Sequence, residues 1–220
     1  MIAPPSPKPR PDWFALVAVT VLVVIHEILT AMNHRPNVFF IFGATLFWAG
    51  YVLIRACQDP GLFRTWGFRA TNLLPASLAA ALLFVVCSAG LAAYAWSCDF
   101  LRFPAHTWVL LLLYPFWGIV QQFVTLGIVV TNLQRVPGLN GRRLVVWLVG
   151  VLLFGLIHAY DPWLAFATAA LEMAVIPLYW HFRNLWPLGV LHGWLGALFY
   201  LWVLNTDMWE LTFAWTQRLP

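Results

Sequence analysis

Two histidines lie inside long apolar runs of this chain, where an ionisable side chain is costly. His158 ends the run FGLIH, and His192 lies in PLGVLHGWLG. Two adjacent amides, Gln121 and Gln122, interrupt an earlier apolar run, and Glu172 adds a carboxyl group to a fourth. Imidazole and carboxyl groups can move protons or polarise a carbonyl, and amides can orient a water molecule. These five residues are therefore the candidate catalytic site.

A metal-assisted arrangement is one chemistry that these residue types allow. Glu172 as base with His158 and His192 as ligands would satisfy a two-histidine, one-carboxylate pattern. Such a set can bind a divalent metal such as zinc and activate its water. The alternatives are structural: buried imidazoles bonded between helices, a protonated carboxyl at Glu172, and Gln121 and Gln122 as interhelical contacts. The residue types alone do not decide whether the site holds a metal cofactor.

The composition indicates a membrane protein. Hydrophobic residues make up 62% of the 220 residues and charged residues 9%, whereas soluble domains carry about 25% charged residues. The formal net charge of +4 is spread among the loops, so nucleic acid is not expected as a partner. We expect an all-α, polytopic transmembrane helix bundle surrounded by membrane lipid.

Seven segments approach the length of about 20 apolar residues that a transmembrane helix needs. The predicted spans are Trp13–Ala31, Val38–Arg55, Leu73–Trp96, Thr107–Thr131, Leu144–Ala159, Trp163–Trp180 and Leu185–Leu204. The aromatic tail after Asn205 is short and could add an eighth, partial or interfacial helix. Residues 1–12 are predicted to be a disordered, Pro-rich cytoplasmic arm, and residues 13–220 a single transmembrane bundle.

The orientation follows from the basic residues, which are more frequent in cytoplasmic loops. With the N-terminus in the cytoplasm, nine of the twelve Lys and Arg residues fall on the inner side. We expect this topology in a bacterial inner (plasma) membrane. The inner residues are Lys8, Arg10, Arg55, Arg64, Arg69, Arg135, Arg142, Arg143 and Arg183.

Distance along a helix indicates which polar residues share a depth in the membrane. At about 1.5 Å per residue, Gln121 lies roughly 21 Å and His158 roughly 22 Å from the inner surface, but His192 only roughly 14 Å. The estimate therefore favours Gln121 and His158 as neighbours and needs helix tilt to bring in His192. For the adjacent pair His26 and Glu27 we favour a structural role, because neighbouring residues point to different helix faces.

Three short motifs occur in a fixed order along the chain: Gln121-Gln122-Phe-Val-Thr-Leu126, then Phe154-Gly-Leu-Ile-His158, then His192 followed four residues later by Gly196. Their order and spacing resemble E-E-x-x-x-R, F-x-x-x-H and H-x-x-x-N/D in the CAAX protease and bacteriocin-processing family of intramembrane proteases (CPBP, type II CAAX prenyl endopeptidase-like). The lead-in WGFRATNLLPA at residues 66–76 also looks like that family. The resemblance covers about residues 60–204.

The departures from the family pattern affect the chemistry that the resemblance implies. In the family a glutamate activates water while histidines stabilise the oxyanion, but this chain has glutamine at both glutamate positions. Leu126 replaces the arginine and Gly196 the asparagine or aspartate. A glutamine amide is not a general base near neutral pH. Losing the carboxylate and the arginine together leaves no unpaired buried charge, so the exchange is self-consistent.

Two functions follow from the resemblance. The first is an intramembrane hydrolase, an endopeptidase acting on a membrane-embedded, hydrophobic or lipid-modified peptide through His158, His192, Gln121, Gln122 and Glu172. The second is a catalytically inactive relative that acts as a membrane binding protein or chaperone. Retention of both histidines favours the first function, and the double replacement of glutamate by glutamine favours the second.

Overall fold

Helices form all the regular secondary structure in the part of the chain that the structure, a computed structural model, describes: residues 10–33 and 38–213. The all-α prediction is therefore confirmed. The helices are α1 (Trp13–Asn33), α2 (Val38–Gln58), α3 (Leu62–Trp66), α4 (Leu73–Ser97), α5 (Thr107–Gln122), a π-helical stretch (Phe123–Val130), α6 (Thr131–Leu133), α7 (Arg143–Leu156), α8 (Pro162–Phe182), α9 (Trp186–Trp202) and α10 (Met208–Phe213).

Five helical segments of the described chain are long and apolar enough to cross a membrane. They lie at Trp13–Met32, Phe39–Gln58, Leu73–Ser97, Thr107–Leu133 and Pro162–Phe182. The protein is an integral membrane protein. The predicted count of seven spans is not confirmed, because α7 has 14 residues and α9 has 17. Fourteen residues rise about 21 Å, less than the roughly 30 Å of a bilayer's hydrocarbon core.

The chain divides into two compact units, of which the first comprises Met1–Asp59 and Val124–Ile176. Within it, α7 and α8 approach closely where Gly155 faces Ala169: a Cβ at Gly155 would lie 3.1 Å from the Ala169 Cβ. The Trp147 indole also donates a hydrogen bond to the backbone oxygen of Met173 at 3.1 Å. Small residues at such contacts let helices pack in an apolar solvent, where no hydrophobic effect draws them together.

The predicted N-terminal arm lies largely outside the described residues. Residues 1–9 are not described, but Asp12 is part of the start of α1. Its carboxylate accepts a hydrogen bond from the Ala15 backbone N–H at 3.0 Å, and its backbone oxygen accepts one from Leu16 at 3.1 Å. Asp12 therefore satisfies backbone donors at the first turn of α1.

The second unit comprises Pro60–Phe123 and Pro177–Pro220 and is built around α9. Helix α9 packs against both α4 and α5, which is why most of its residues are buried, His192 among them. The tail does form a helix, but α10 has six residues and contacts α5 and α9. The described part of the tail does not test the predicted eighth helix as a span, which stays a prediction.

Candidate functional site

Gln121 and Gln122 hold the imidazole of His192 from two sides. The Gln121 Oε1 atom lies 3.0 Å from His192 Nε2, and the Gln122 Nε2 atom lies 3.4 Å from His192 Nδ1. Gln122 is fully buried, and His192 is 6% exposed. The structure thus brings together three of the five predicted site residues inside the second unit. We call Gln121, Gln122 and His192 the amide–imidazole cluster.

The hydrogen-bond roles in the amide–imidazole cluster define the state of its histidine. An amide oxygen can only accept, so His192 Nε2 carries the hydrogen and donates it to Gln121. The other ring nitrogen, Nδ1, then accepts a hydrogen bond from the Gln122 amide. An imidazolium would present a hydrogen at Nδ1 to that amide nitrogen, and the contact would be lost. These two bonds fit the Nε2–H tautomer of the imidazole.

Three glycines place α5 and α9 close enough for these bonds. A Cβ on Gly118 of α5 would lie 2.5 Å from the backbone nitrogen of Gly193, and one on Gly189 would lie 2.5 Å from Ile119 Cγ1. One on Gly193 would lie 2.5 Å from the Tyr114 backbone oxygen. Gly189 and Gly193 form a G-x-x-x-G pair, a spacing typical of close helix contacts in membranes. This signal was available in the sequence, and reasoning from polar residues alone missed it.

The helix changes its hydrogen-bonding pattern directly after Gln122. Residues Phe123–Val130 form a π-helical stretch before α6 completes the segment. Stretches of this kind are rare and are frequently found at functional sites. Sequence reasoning predicted an uninterrupted α-helix over Thr107–Thr131, because residue preferences carry no signal for a π-helix.

Four aromatic side chains pack together beside the amide–imidazole cluster. Two of them belong to the lead-in at residues 66–76, which gives that segment a structural role. Phe123 follows Gln122, and its ring lies 5.3 Å from that of Trp66 and 5.8 Å from that of Phe68. The Phe68 ring in turn lies 5.0 Å from that of Trp186, the first residue of α9. Trp66 and Phe68 therefore connect the residue that follows Gln122 to the start of the helix that carries His192.

Asn184 fixes the turn between α8 and α9. Its side chain is fully buried and donates hydrogen bonds to the Arg69 backbone oxygen at 2.9 Å and to Asn72 Oδ1 at 3.0 Å. Its own oxygen accepts a hydrogen bond from the Trp186 N–H at 3.2 Å. The Leu185 N–H also donates to the Gly67 backbone oxygen at 2.8 Å. Sequence reasoning missed Asn184, although a buried asparagine before a helix is a recognisable capping signal.

His158 lies in the first unit, and its ring is oriented by the end of α7. The Nδ1 atom lies 2.8 Å from the backbone oxygen of Phe154, to which it donates, so a neutral imidazole carries its lone pair on Nε2. The Phe154 ring lies 5.0 Å from the imidazole. The F-x-x-x-H spacing thus stacks both side chains on one helical turn. The predicted span Leu144–Ala159 ended too late, because α7 ends at Leu156 and His158 lies in the following turn.

Glu172 is fully buried on α8, also in the first unit. No group of three or more His, Cys, Asp or Glu side chains is placed to hold a metal ion within residues 10–33 and 38–213. The metal site with His158 and His192 as ligands stays a prediction.

One protein-family model matches part of this chain. Residues 103–198 match the family described as Type II CAAX prenyl endopeptidase Rce1-like. This segment is CAAX-endopeptidase-like. The predicted family resemblance is confirmed over these residues, which include all five candidate site residues but not the lead-in at residues 66–76. Comparisons with curated proteins and with solved structures found no match.

The CAAX-endopeptidase-like segment contains both helices of the amide–imidazole cluster, and its fold accommodates the leucine that stands at the motif's arginine position. It begins just before α5 and ends inside α9, so it includes both helices that form the amide–imidazole cluster. Leu126, at the arginine position, is fully buried in the π-helical stretch. A leucine needs no counter-charge there, whereas an unpaired arginine would be costly.

Proposed function

We propose that this CAAX-protease-like membrane protein binds a hydrophobic or lipid-modified peptide at the amide–imidazole cluster and does not hydrolyse it by the glutamate mechanism that the family resemblance implies. One observation carries the proposal: both ring nitrogens of His192 are bonded to neutral amides, at 3.0 Å and 3.4 Å. A general base that takes a proton from water must offer a basic atom to that water. Neither glutamine has one.

An uncharged cluster suits an uncharged ligand. Peptide groups are neutral, carry a donor and an acceptor, and need hydrogen-bond partners when they enter an apolar environment. Amide and imidazole side chains provide both kinds of partner without the desolvation penalty of a charge. A hydrophobic peptide segment within the bilayer is therefore the ligand class that the cluster fits best.

Binding and cleavage of one peptide panel by the purified protein test the proposal. The panel contains hydrophobic and prenylated peptides, with fluorescence anisotropy reporting binding and mass spectrometry reporting cleavage, each with and without chelator. We expect binding without cleavage, weakened about tenfold by His192→Ala through lost hydrogen bonds. His181→Ala is the matched control, because His181 is exposed at the end of α8. Cleavage by the unmodified protein would overturn the non-hydrolytic function.

A hydrolase is the second candidate, and the buried Glu172 favours it. Glu172 is a fully buried carboxyl group, and buried carboxyl groups are common among catalytic acids and bases. His158 supports the same function, because its Nδ1 bond to Phe154 directs the lone pair to Nε2. Cleavage that Glu172→Gln abolishes, while peptide binding persists, would establish this function instead.

We also propose that the protein lies in a bacterial inner membrane with its N-terminus in the cytoplasm. The excess of Lys and Arg in the loops supports it. Cys57 is exposed near the end of α2 and should lie on the cytoplasmic side. In a Cys87→Ser/Cys98→Ser background, a membrane-impermeant maleimide should label Cys57 in inverted vesicles but not in intact cells. Labelling of Cys57 in intact cells would show that the orientation is the opposite one.

A further inference from the structure

A groove between α1 and α2 forms a second candidate binding site, in the first unit and outside the family-matched residues. Its volume is about 600 Å³, and its lining combines four polar side chains, Gln58 among them, with an apolar wall. Asp12, Tyr51 and Arg55 provide the polar end. Phe14 and Ile54, both more than 60% exposed, belong to the apolar wall. We call this the α1–α2 groove.

The polar end of the α1–α2 groove is an ordered ion pair. Arg55 Nη2 lies 3.2 Å from Asp12 Oδ2, and the Tyr51 hydroxyl donates to the same oxygen at 2.9 Å. Arg55 Nη1 donates to Gln58 at 3.0 Å. The Arg55 side chain is still 38% exposed. Because Asp12 precedes α1 and Arg55 lies in the last turn of α2, the pair lies at one end of both membrane-spanning helices.

The groove continues from the ion pair into a purely apolar cavity of about 240 Å³. Phe14 and Phe47 line both cavities, and Val21 and Leu22 lie at the far end. Asp12 and Leu22 are ten residues apart, a rise of about 15 Å along a helix, or half of the roughly 30 Å hydrocarbon core. A charged end followed by an apolar channel as deep as one leaflet has the dimensions of a lipid.

We propose that the α1–α2 groove binds one phospholipid with a primary ammonium in its headgroup, and this inference does not rest on the proposed function. Arg55 contacts the phosphate, because guanidinium groups pair with phosphate oxygens. Asp12 accepts a hydrogen bond from the ammonium. The ion pair has no net charge, which matches a zwitterionic headgroup better than an anionic one. One acyl chain lies along Phe14 and Phe47.

Lipid retention by the purified full-length protein tests this assignment. Native mass spectrometry would follow protein loaded with equimolar phosphatidylethanolamine and phosphatidylcholine of identical acyl chains. We expect several-fold preference for phosphatidylethanolamine, since a quaternary ammonium cannot donate to Asp12. Asp12→Asn, which keeps a side-chain oxygen for the helix cap, should remove the preference. Arg55→Gln should weaken both lipids about tenfold through the lost phosphate contact.

Two glycines on α2 provide a matched test of the acyl-chain channel. Gly50 lines the groove, and a Cβ there meets no atom within 4 Å, so Gly50→Leu fills the channel without an internal clash. Gly43 has equally open surroundings but does not line the groove. Gly50→Leu should release the lipid, and Gly43→Leu should retain it.

Three results would overturn the proposal. Equal lipid retention by Gly50→Leu and Gly43→Leu would show that the channel does not hold an acyl chain. Equal retention of the two lipids by the unmodified protein would remove the role of Asp12. Displacement of the lipid by equal concentrations of inorganic phosphate or soluble glycerophosphoethanolamine would show a headgroup site without a lipid channel.

Discussion

Gly118 of α5 and Gly193 of α9 meet backbone to backbone, so that a Cβ on Gly118 would lie 2.5 Å from the Gly193 nitrogen. The contact lies one helical turn from Gln122 on α5 and next to His192 on α9. Hydrogen bonds across two helices need such close approach, because a glutamine side chain is short compared with the usual 8–10 Å between helix axes. The glycines therefore position the amide–imidazole cluster.

Replacing Gly193 by alanine should separate the two helices. The added Cβ would lie 2.5 Å from the Tyr114 backbone oxygen, which cannot move without its helix. We expect a loss of about 1–3 kcal/mol, the usual cost of overpacking, seen as a lower thermal midpoint in detergent. Gly196→Ala is the control, because a Cβ there makes an ordinary 3.9 Å contact with the Tyr114 ring. Equal midpoints for both variants would contradict the positioning role.

Replacing Gln121 by glutamate should affect stability differently from replacing Gln122 by glutamate. Gln121→Glu keeps an acceptor facing His192 Nε2 and should be tolerated. Gln122→Glu removes the donor to Nδ1 and buries a carboxylate against a lone pair, so we expect it to destabilise the protein by on the order of 3 kcal/mol. Thermal midpoints give the comparison, and ¹⁵N spectra of histidine-labelled protein should show an Nε2–H tautomer for His192 in the unmodified chain. A less stable Gln121→Glu variant would contradict the role of Gln121 as the acceptor of the hydrogen bond from His192 Nε2.

The span boundaries show what hydropathy could and could not predict. The predicted span Leu73–Trp96 agrees with α4 at Leu73–Ser97, because its long apolar run is bounded by polar residues. The span Leu144–Ala159 failed at its end. The apolar run continues past Leu156, but the His158 N–H bonds to the Gly155 oxygen, and the chain turns. An apolar turn has the same hydropathy as an apolar helix.

The depth estimate favoured His158 as the neighbour of Gln121 and placed His192 nearer the inner surface. The structure shows that Gln121 bonds to His192. The estimate assumed an α-helix throughout, but Phe123–Val130, which lies between Gln121 and Arg135 in the sequence, is π-helical. With hydrogen bonds to the fifth residue, a π-helix is wider and advances less per residue. The rise estimated from Gln121 to Arg135 was therefore too large.

Asn184→Ala should weaken the start of the helix that carries His192. The variant leaves the Arg69 oxygen, Asn72 Oδ1 and the Trp186 N–H without the partners described above. We expect a loss of about 1–3 kcal/mol for buried polar groups left unsatisfied, measured by thermal unfolding. Asn140→Ala is the control, because Asn140 is exposed. Peptide binding should fall along with stability in Asn184→Ala if the turn positions the cluster, and unchanged binding would restrict Asn184 to stability.

The pair His106–Asp207 should make stability depend on acid pH. His106 Nε2 lies 2.7 Å from Asp207 Oδ2, and the Trp209 N–H donates to Asp207 Oδ1 at 3.0 Å. Burial acts to raise the pKa of Asp207, but the hydrogen bonds from His106 and from the backbone outweigh it and hold that pKa below its ordinary value. A lowered pKa in the folded state means that the ionised form stabilises the fold. This contribution is complete above the unfolded pKa of about 4 and is lost as pH falls through the folded value.

Asp207→Asn keeps the oxygen that accepts from Trp209 and replaces the charged oxygen facing His106 by an amide nitrogen. The unmodified protein should therefore be more stable than Asp207→Asn at pH 6, by about 1 kcal/mol, and the difference should shrink below pH 4 in detergent melts. A difference that stays constant from pH 7 to pH 3 would show that the Asp207 charge does not stabilise the fold.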